Sequence, residues 1–503
     1  MPTKFLAHTL ERPERALMLL IAAQLAFWSL APLLSHSAPP LDVVDIQATG
    51  REGVLATFKH PNTPGLILEG IRQISGQAGW PAYIVSQIFV VATFAAVFAL
   101  GRDLMDARRA LIGAALLTGV YFFSWPTPEW NHNVMQMPFW ALACWALWRG
   151  TTHNGLGWWV LLGAAGGLAM WAKYSSAILL FVAGLWMLYD QQARAKILTP
   201  GPWIALITCA LVFAPQLLWL IDNDFAPFAY AARRATSVDF TDTLGFLPIQ
   251  LAHHIPMFVL MLAAGLWGRR AEAPPPAPDR RALHFLLLMG LGPALVITLI
   301  GLLSASGLRT AWGAPMFNLS GLLAVALLTN RVDSARMRGV VVGAGVVILL
   351  VSGLYFGHMR YGHQLTGKPL RGNWPQAEIT AALEDAWRRG ANGAPLRIVA
   401  GDVWAGGMVA MSNRPPPHLL INGDYSISPW VTPEQVARDG ALLTWSGTEP
   451  ATLAVFAHDL EWRELQFYAP GARRDNAQPV TVHYAVIPPG GSARPPARQE
   501  TQP

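Results

Sequence analysis

Residues 41–64 read LDVVDIQATGREGVLATFKHPNTP, a run that gathers Asp42, Asp45, Arg51, Glu52, Lys59 and His60 between two long apolar segments. Of the whole 503-residue chain only 13% is charged and 53% is hydrophobic, whereas soluble domains carry roughly 25% charged residues. Apolar blocks recur at roughly the 20-residue length that crosses a hydrocarbon core as helix. The composition excludes a soluble enzyme and makes the quoted run the loop between the first two spans of a polytopic α-helical membrane protein.

Eleven spans are expected, near 14–35, 81–101, 108–125, 133–150, 155–171, 173–190, 202–221, 244–267, 283–304, 311–329 and 338–357. Lys4, Arg12, Arg15, Arg102, Arg108, Arg109, Arg149, Arg194, Lys196, Arg269, Arg270, Arg280, Arg281, Arg331, Arg336 and Arg338 then fall on one side, which the positive-inside tendency makes cytoplasmic. The other, periplasmic side receives the loop 36–80, the turns at 125–132, Lys173 and 307–310, the loop 222–243 and everything after about 358. Ala16–Leu34 reads as an uncleaved signal anchor, and AEAPPPAPD at 271–279 as an extended linker. Cys144 and Cys209 lie in apolar blocks, as small buried hydrophobes rather than a disulfide framework. The net charge of +6 is spread over short loops, which argues against nucleic acid as a partner.

Three regions follow: a membrane domain over 1–357, a small periplasmic α/β domain over 358–490, and a disordered tail at 491–503. The α/β domain is expected to have helices at 376–389 and 432–439 and strands at 396–400, 418–422, 441–446, 452–456 and 480–487. In the first loop, Asp42, Asp45, Thr49 and Glu52 recur at helical spacing while Val43, Ile46, Gly50 and Val54 line another face. That pattern predicts a short amphipathic helix lying on the membrane interface, with a second interfacial helix at 66–74.

On such a helix the carboxylates of Asp42 and Asp45 share a face. Two acids beside a membrane suit a solvated surface, and equally a general base taking a proton from an acceptor. Lys59 and His60 precede Pro61, which extends the backbone before it. A lone interfacial lysine snorkels to headgroups, yet Lys59, Lys173, Arg233, Arg234 and Arg309 together form an excess of outer cations that an anionic ligand, such as a lipid phosphate, would explain. The turn PTPEWNHNVMQMP at 126–138 holds Glu129, Asn131, His132 and Asn133, either as helix caps or as hydrogen-bonding partners of a sugar. No zinc-ligand spacing and no phosphate-binding P-loop are present.

DVVD at 42–45, FKHP at 58–61, EWNHN at 129–133, AKYS at 172–175, YAARRA at 230–235, LRTAWGAPMFNLSGLL at 308–323, GDVWAGG at 401–407 and SPW at 428–430 occur in one order on one side. In these strings the chain resembles the bacterial family-39 glycosyltransferases of the GT-C class, relatives of protein O-mannosyltransferases and of the aminoarabinose transferases that modify lipid A. The resemblance implies transfer of a hexose or pentose from a polyprenyl-phosphate donor to a lipid, glycan or protein of the envelope, at the periplasmic face of the inner membrane. It makes Asp42 the catalytic acid and Asp45 its partner. Lys59, His60, Lys173, Arg233, Arg234 and Arg309 would hold the donor phosphate, and Glu129, Asn131, His132 and Asn133 the substrate. A divalent cation bridging Asp45 or His60 to that phosphate stays open, and no other cofactor is implied. Asn62 stands where many members have a second proline, which is expected to loosen the turn. Two other classes fit a chain of many spans: a transporter or flippase of lipid-linked sugar, and a non-catalytic envelope assembly protein. GDVWAGG and SPW read either as an acceptor surface or as glycine turns and core tryptophans of the outer domain.

Overall fold

Among the described residues, six helices of the computed structural model are long and apolar enough to cross a membrane: Pro13–Ser35, Pro81–Leu104, Pro200–Asp222, Thr241–Ala263, Arg280–Leu303 and Ser334–Thr366. Their outward faces stay apolar, with Leu30, Ile88, Leu206, Leu211, Leu299 and Leu350 all exposed, as lipid contact requires. The structure describes residues 12–236, 240–268, 278–328, 331–412, 415–448, 450–456, 460–472 and 477–490. The expectations for Lys4, Arg269, Arg270, the run 271–277 and the tail 491–503 fall outside them.

The expected count of eleven straight spans is not confirmed. Leu156–Ala172 and Tyr174–Tyr189 are shorter apolar helices. The expected span 108–125 becomes a ten-residue helix, Ala107–Leu116, followed by two short 3-10 turns. The span 311–329 becomes a 3-10 turn at Thr310–Gly313 and a short helix, Ser320–Leu327. These two short helices pack on each other backbone to backbone, and a Cβ on Gly321 would stand 2.0 Å from the Gly113 carbonyl oxygen. Interrupted helix is tolerated at membrane depth where protein rather than lipid surrounds it.

The chain divides into two compact units that cut across sequence order: Met1–Ala31, Phe58–Pro61 and Tyr83–Leu354 form the first, and Pro32–Thr57, Asn62–Ala82 and Tyr355–Pro503 the second. In the first unit, Arg281 is clamped at the start of its helix. Its Nε donates to both oxygens of Asp190 at 3.0 and 2.9 Å, its Nη2 to Asp190 at 2.8 Å and to Thr151 at 3.1 Å. The guanidinium also lies over Trp148, 4.6 Å from the ring centre. Both partners are only 11% exposed. Removing one member of so enclosed a pair strands the other charge, so Arg281→Ala should cost about 3 kcal/mol or more, read as a lowered midpoint in thermal unfolding of the detergent-solubilised protein.

In the second unit, strands β1 (Ile398–Gly401), β2 (His418–Ile421), β3 (Ala441–Ser446), β4 (Arg463–Phe467) and β5 (Val480–Ile487) form one sheet in the order β2-β1-β3-β5-β4. β1 runs parallel to β2 and β3, and β5 antiparallel to β3 and β4. β3 and β5 occupy the residues expected from the sequence. The expected strand at 452–456 is instead a helix, Ala451–Phe456, which buries Leu453 in the sheet's core. A run of four apolar residues suits either structure, and only the packing partner decides. The helix Ala405–Ser412 and strand β4 carried no periodic signal in the sequence.

The helix Leu41–Gly50 corrects the interfacial expectation. Val43, Val44, Ile46, Gln47, Ala48, Thr49 and Gly50 are all buried, against the helices Thr63–Ser75 and Ala405–Ser412. Gly407 lies against Val44, where a Cβ would come within 2.7 Å of its side chain. Gly407 of GDVWAGG therefore seats this helix, whereas Gly401 and Gly406 face the sheet at Thr444 and Leu419; Trp404 is buried, and Trp430 of SPW donates its indole N–H to the Leu419 carbonyl at 2.9 Å.

Candidate active site

Asp42, Asp45 and Leu41 alone on the helix Leu41–Gly50 keep access to solvent. The i, i+3 spacing puts the two carboxylates on the one uncovered face, as expected from sequence. Thr49, expected on that face, turns inward and donates to the Asp45 carbonyl at 2.9 Å and to Asn62 Oδ1 at 3.2 Å. Glu52 lies beyond the end of the helix, where it pairs with His418 Nδ1 at 2.7 Å.

Asn62 does not loosen its turn. It is 2% exposed, and its amide donates to the carbonyls of Thr49 at 2.9 Å and Val54 at 3.1 Å. The residue in place of a second proline thus ties the acid helix to the start of the next one. Between the two helices, Gly50 and Gly65 meet backbone to backbone: a Cβ on Gly65 would stand 2.4 Å from the Ile46 carbonyl oxygen and 2.9 Å from Gly50 Cα.

Within the first unit, Phe58–Pro61 meets three distant segments. The His60 and His132 rings lie 4.6 Å apart, and His132 Nε2 donates to the Pro61 carbonyl at 2.9 Å, which sets its tautomer. Tyr230 stands edge-on to Phe58 at 5.5 Å and to His60 at 6.4 Å. That contact brings the helix Ala226–Thr236, with exposed Arg233, up to the FKHP segment. The Arg234 side chain lies outside the described residues. Lys173, 8% exposed, donates to Asn133 Oδ1 at 2.8 Å and lies 5.7 Å from the Trp312 ring centre. Arg309 is exposed on the strand-like segment that leads into Trp312.

Asn131 serves as the helix cap that its position suggested, accepting from the N–H groups of Asn133 at 2.9 Å and Val134 at 3.2 Å. Glu129 is part-exposed in the preceding turn, within electrostatic reach of Tyr121. Tyr230 and Trp312 were missed because attention to charge passes over aromatics. Their places inside YAARRA and LRTAWG, next to the candidate cations, were the available signal. Among the described residues no three His, Cys, Asp or Glu side chains converge to hold a metal ion.

His60 loses hydration in this cluster and faces His132, Lys173 and Lys59, which together hold its pKa well below 6.5. It is therefore neutral in the folded protein at pH 7. Below pH 6.5 the unfolded chain gains a proton that the folded chain refuses, so stability falls with pH, by at most about 1.4 kcal/mol per pH unit. His60→Gln should flatten the loss of thermal stability between about pH 6.5 and 5; an unchanged slope would place the titration elsewhere.

Residues 59–219 match the family model described as dolichyl-phosphate-mannose-protein mannosyltransferase. No curated protein matches the chain in sequence. Among solved structures the chain is similar to ArnT from Cupriavidus metallidurans bound to undecaprenyl phosphate, at 15% identity over 93% of this chain and 97% of that one, with a TM-score of 0.63. The apo state of the same protein gives 14% identity, the same coverage and a TM-score of 0.59. The chain has a GT-C glycosyltransferase fold. Within this GT-C fold the stretch matched by the mannosyltransferase model contains Lys59, His60, the Asn131–Asn133 turn and Lys173, whereas Asp42 and Asp45 precede it.

Proposed function

We propose that the protein transfers a hexose or pentose from a polyprenyl-phosphate donor to an envelope acceptor on the periplasmic side of the inner membrane. The observation that carries this reading is the gathering of Lys59, His60, His132 and Lys173 in the first unit, inside the residues that match a mannosyltransferase family model. The fold adds support, since the ArnT structure it resembles holds undecaprenyl phosphate.

Lysines suit a phosphate as point charges, and a neutral His60 that faces both Lys59 and Lys173 suits a hydrogen bond to it. Asp42 takes the proton of an acceptor hydroxyl. The acceptor oxygen then bonds to the anomeric carbon while the carbon–oxygen bond to phosphate breaks, and the phosphate leaves with the electron pair. Lys59, Arg234 and Arg309 stabilise the charge that grows there. Asp45 supports Asp42, and His132 and Asn133 bind the sugar.

Purified protein in liposomes, supplied with a radiolabelled polyprenyl-phosphate sugar and a membrane lipid extract, tests the reading. Label entering a new product supports transfer. Label crossing the bilayer without a product supports a transporter, and neither result supports an assembly protein. Mass spectra of total lipids with and without the protein then name the sugar and the acceptor.

A further inference from the structure

Arg51, which the proposed chemistry leaves unused, lines a cavity of about 470 Å³ that lies wholly within the second unit. Arg397, His418 and Arg438 line it too, and prolines form an apolar wall. The site is assembled at the amino ends of two parallel strands. Arg397 precedes β1 and its carbonyl accepts from the N–H of His418, the first residue of β2, at 2.8 Å. Arg438 comes from the last turn of the helix Pro433–Asp439, and Arg51 from the residue after the acid helix.

Three carboxylates face these cations, one of them Glu69, which acts on Arg51 and is itself paired with Arg72 at 2.6 Å. Asp439 pairs with Arg438 at 2.7 Å and lies within reach of Arg397, and Glu52 pairs with His418 at 2.7 Å. Three guanidinium groups thus line the cavity, and of the three acids near them Glu52 and Glu69 are engaged by His418 and Arg72. Arg51 Nη1 is buried with no hydrogen-bond partner, as is Glu52 Oε1. Guanidinium forks match tetrahedral oxyanions with paired hydrogen bonds, and oxygens arranged around phosphorus can meet forks arriving from three directions.

We propose that this cavity is a phosphate-binding site of the second unit, taking inorganic phosphate or a phosphomonoester. The assignment stands independently of the sugar-transfer reading. It is tested with the full chain in detergent, by titration calorimetry with inorganic phosphate and with a short-chain phosphatidic acid. Saturable binding of inorganic phosphate supports the site with a soluble ligand, and binding of the lipid alone supports it with a headgroup. Arg397→Gln combined with Arg438→Gln should weaken binding about tenfold or more while leaving the unfolding temperature unchanged. Lys59→Gln combined with Lys173→Gln should leave it intact. Absence of saturable binding of either ligand, or binding lost with the lysines and kept without the two arginines, overturns the proposal.

Discussion

Under the proposed sugar transfer, Asp42→Asn is expected to insert, purify and unfold like the wild type while its transfer rate falls by about 100-fold to 10,000-fold, the range that a positioned general base contributes. The expectation rests on where the residue sits. The helix Leu41–Gly50 spends nearly its whole surface on packing and leaves only Leu41, Asp42 and Asp45 open to solvent. A side chain on that uncovered face can be changed to its isosteric amide without disturbing the core, so the variant separates chemistry from folding. Asp45→Asn should fall less, by about tenfold, if it orients its neighbour rather than accepting the proton. Wild-type turnover by Asp42→Asn in the liposome assay would remove it from the mechanism, and a larger loss in Asp45→Asn would exchange the two roles.

Gly65→Ala should lose both stability and activity, and activity by more than the unfolded fraction explains. Overpacking typically costs about 1–3 kcal/mol, and here the added carbon meets the Ile46 carbonyl oxygen, Asn62 Oδ1 and Gly50 Cα. Two of these are main chain, and the Asn62 side chain is held by its bonds to Thr49 and Val54. The two helices must separate, and the one that carries Asp42 and Asp45 moves with them. A displacement of about 1 Å at catalytic groups lowers rates on the order of 100-fold. Gly70, in the same helix with nothing within 4 Å of its Cβ position, is the control: Gly70→Ala should keep wild-type activity and gain up to about 1 kcal/mol of stability from the better helix former. Equal losses in the two variants would attribute the effect to helix content rather than to the crossing.

The local patterns that needed no distant partner were legible in the chain. Block length and low charge identified a membrane protein, the residues of β3 and β5 read as strands, and i, i+3 spacing put Asp42 and Asp45 on one face. Each of these is a property of a short segment, because helix and strand repeat every few residues. The FKHP, AKYS and YAARRA strings were also recognisable as candidate chemistry, but not the contacts that join them.

What covers a face is another matter, and only the tertiary structure decided it. Periodicity could separate the two sides of 41–50, yet it could not tell lipid headgroups from the helices Thr63–Ser75 and Ala405–Ser412, which bury that segment. The sequence likewise showed Asn62 as a missing proline. In the fold its amide finds two carbonyls and becomes the tie between the acid helix and the next. Lys173 reaches Asn133 across 40 positions, and the Tyr230 ring meets Phe58 from a segment far along the chain. Length and hydropathy set the class of this protein, because they are sums over the chain. The neighbours of its charged residues depend on which backbones can approach closely, and that was settled where glycine meets glycine at positions 50 and 65.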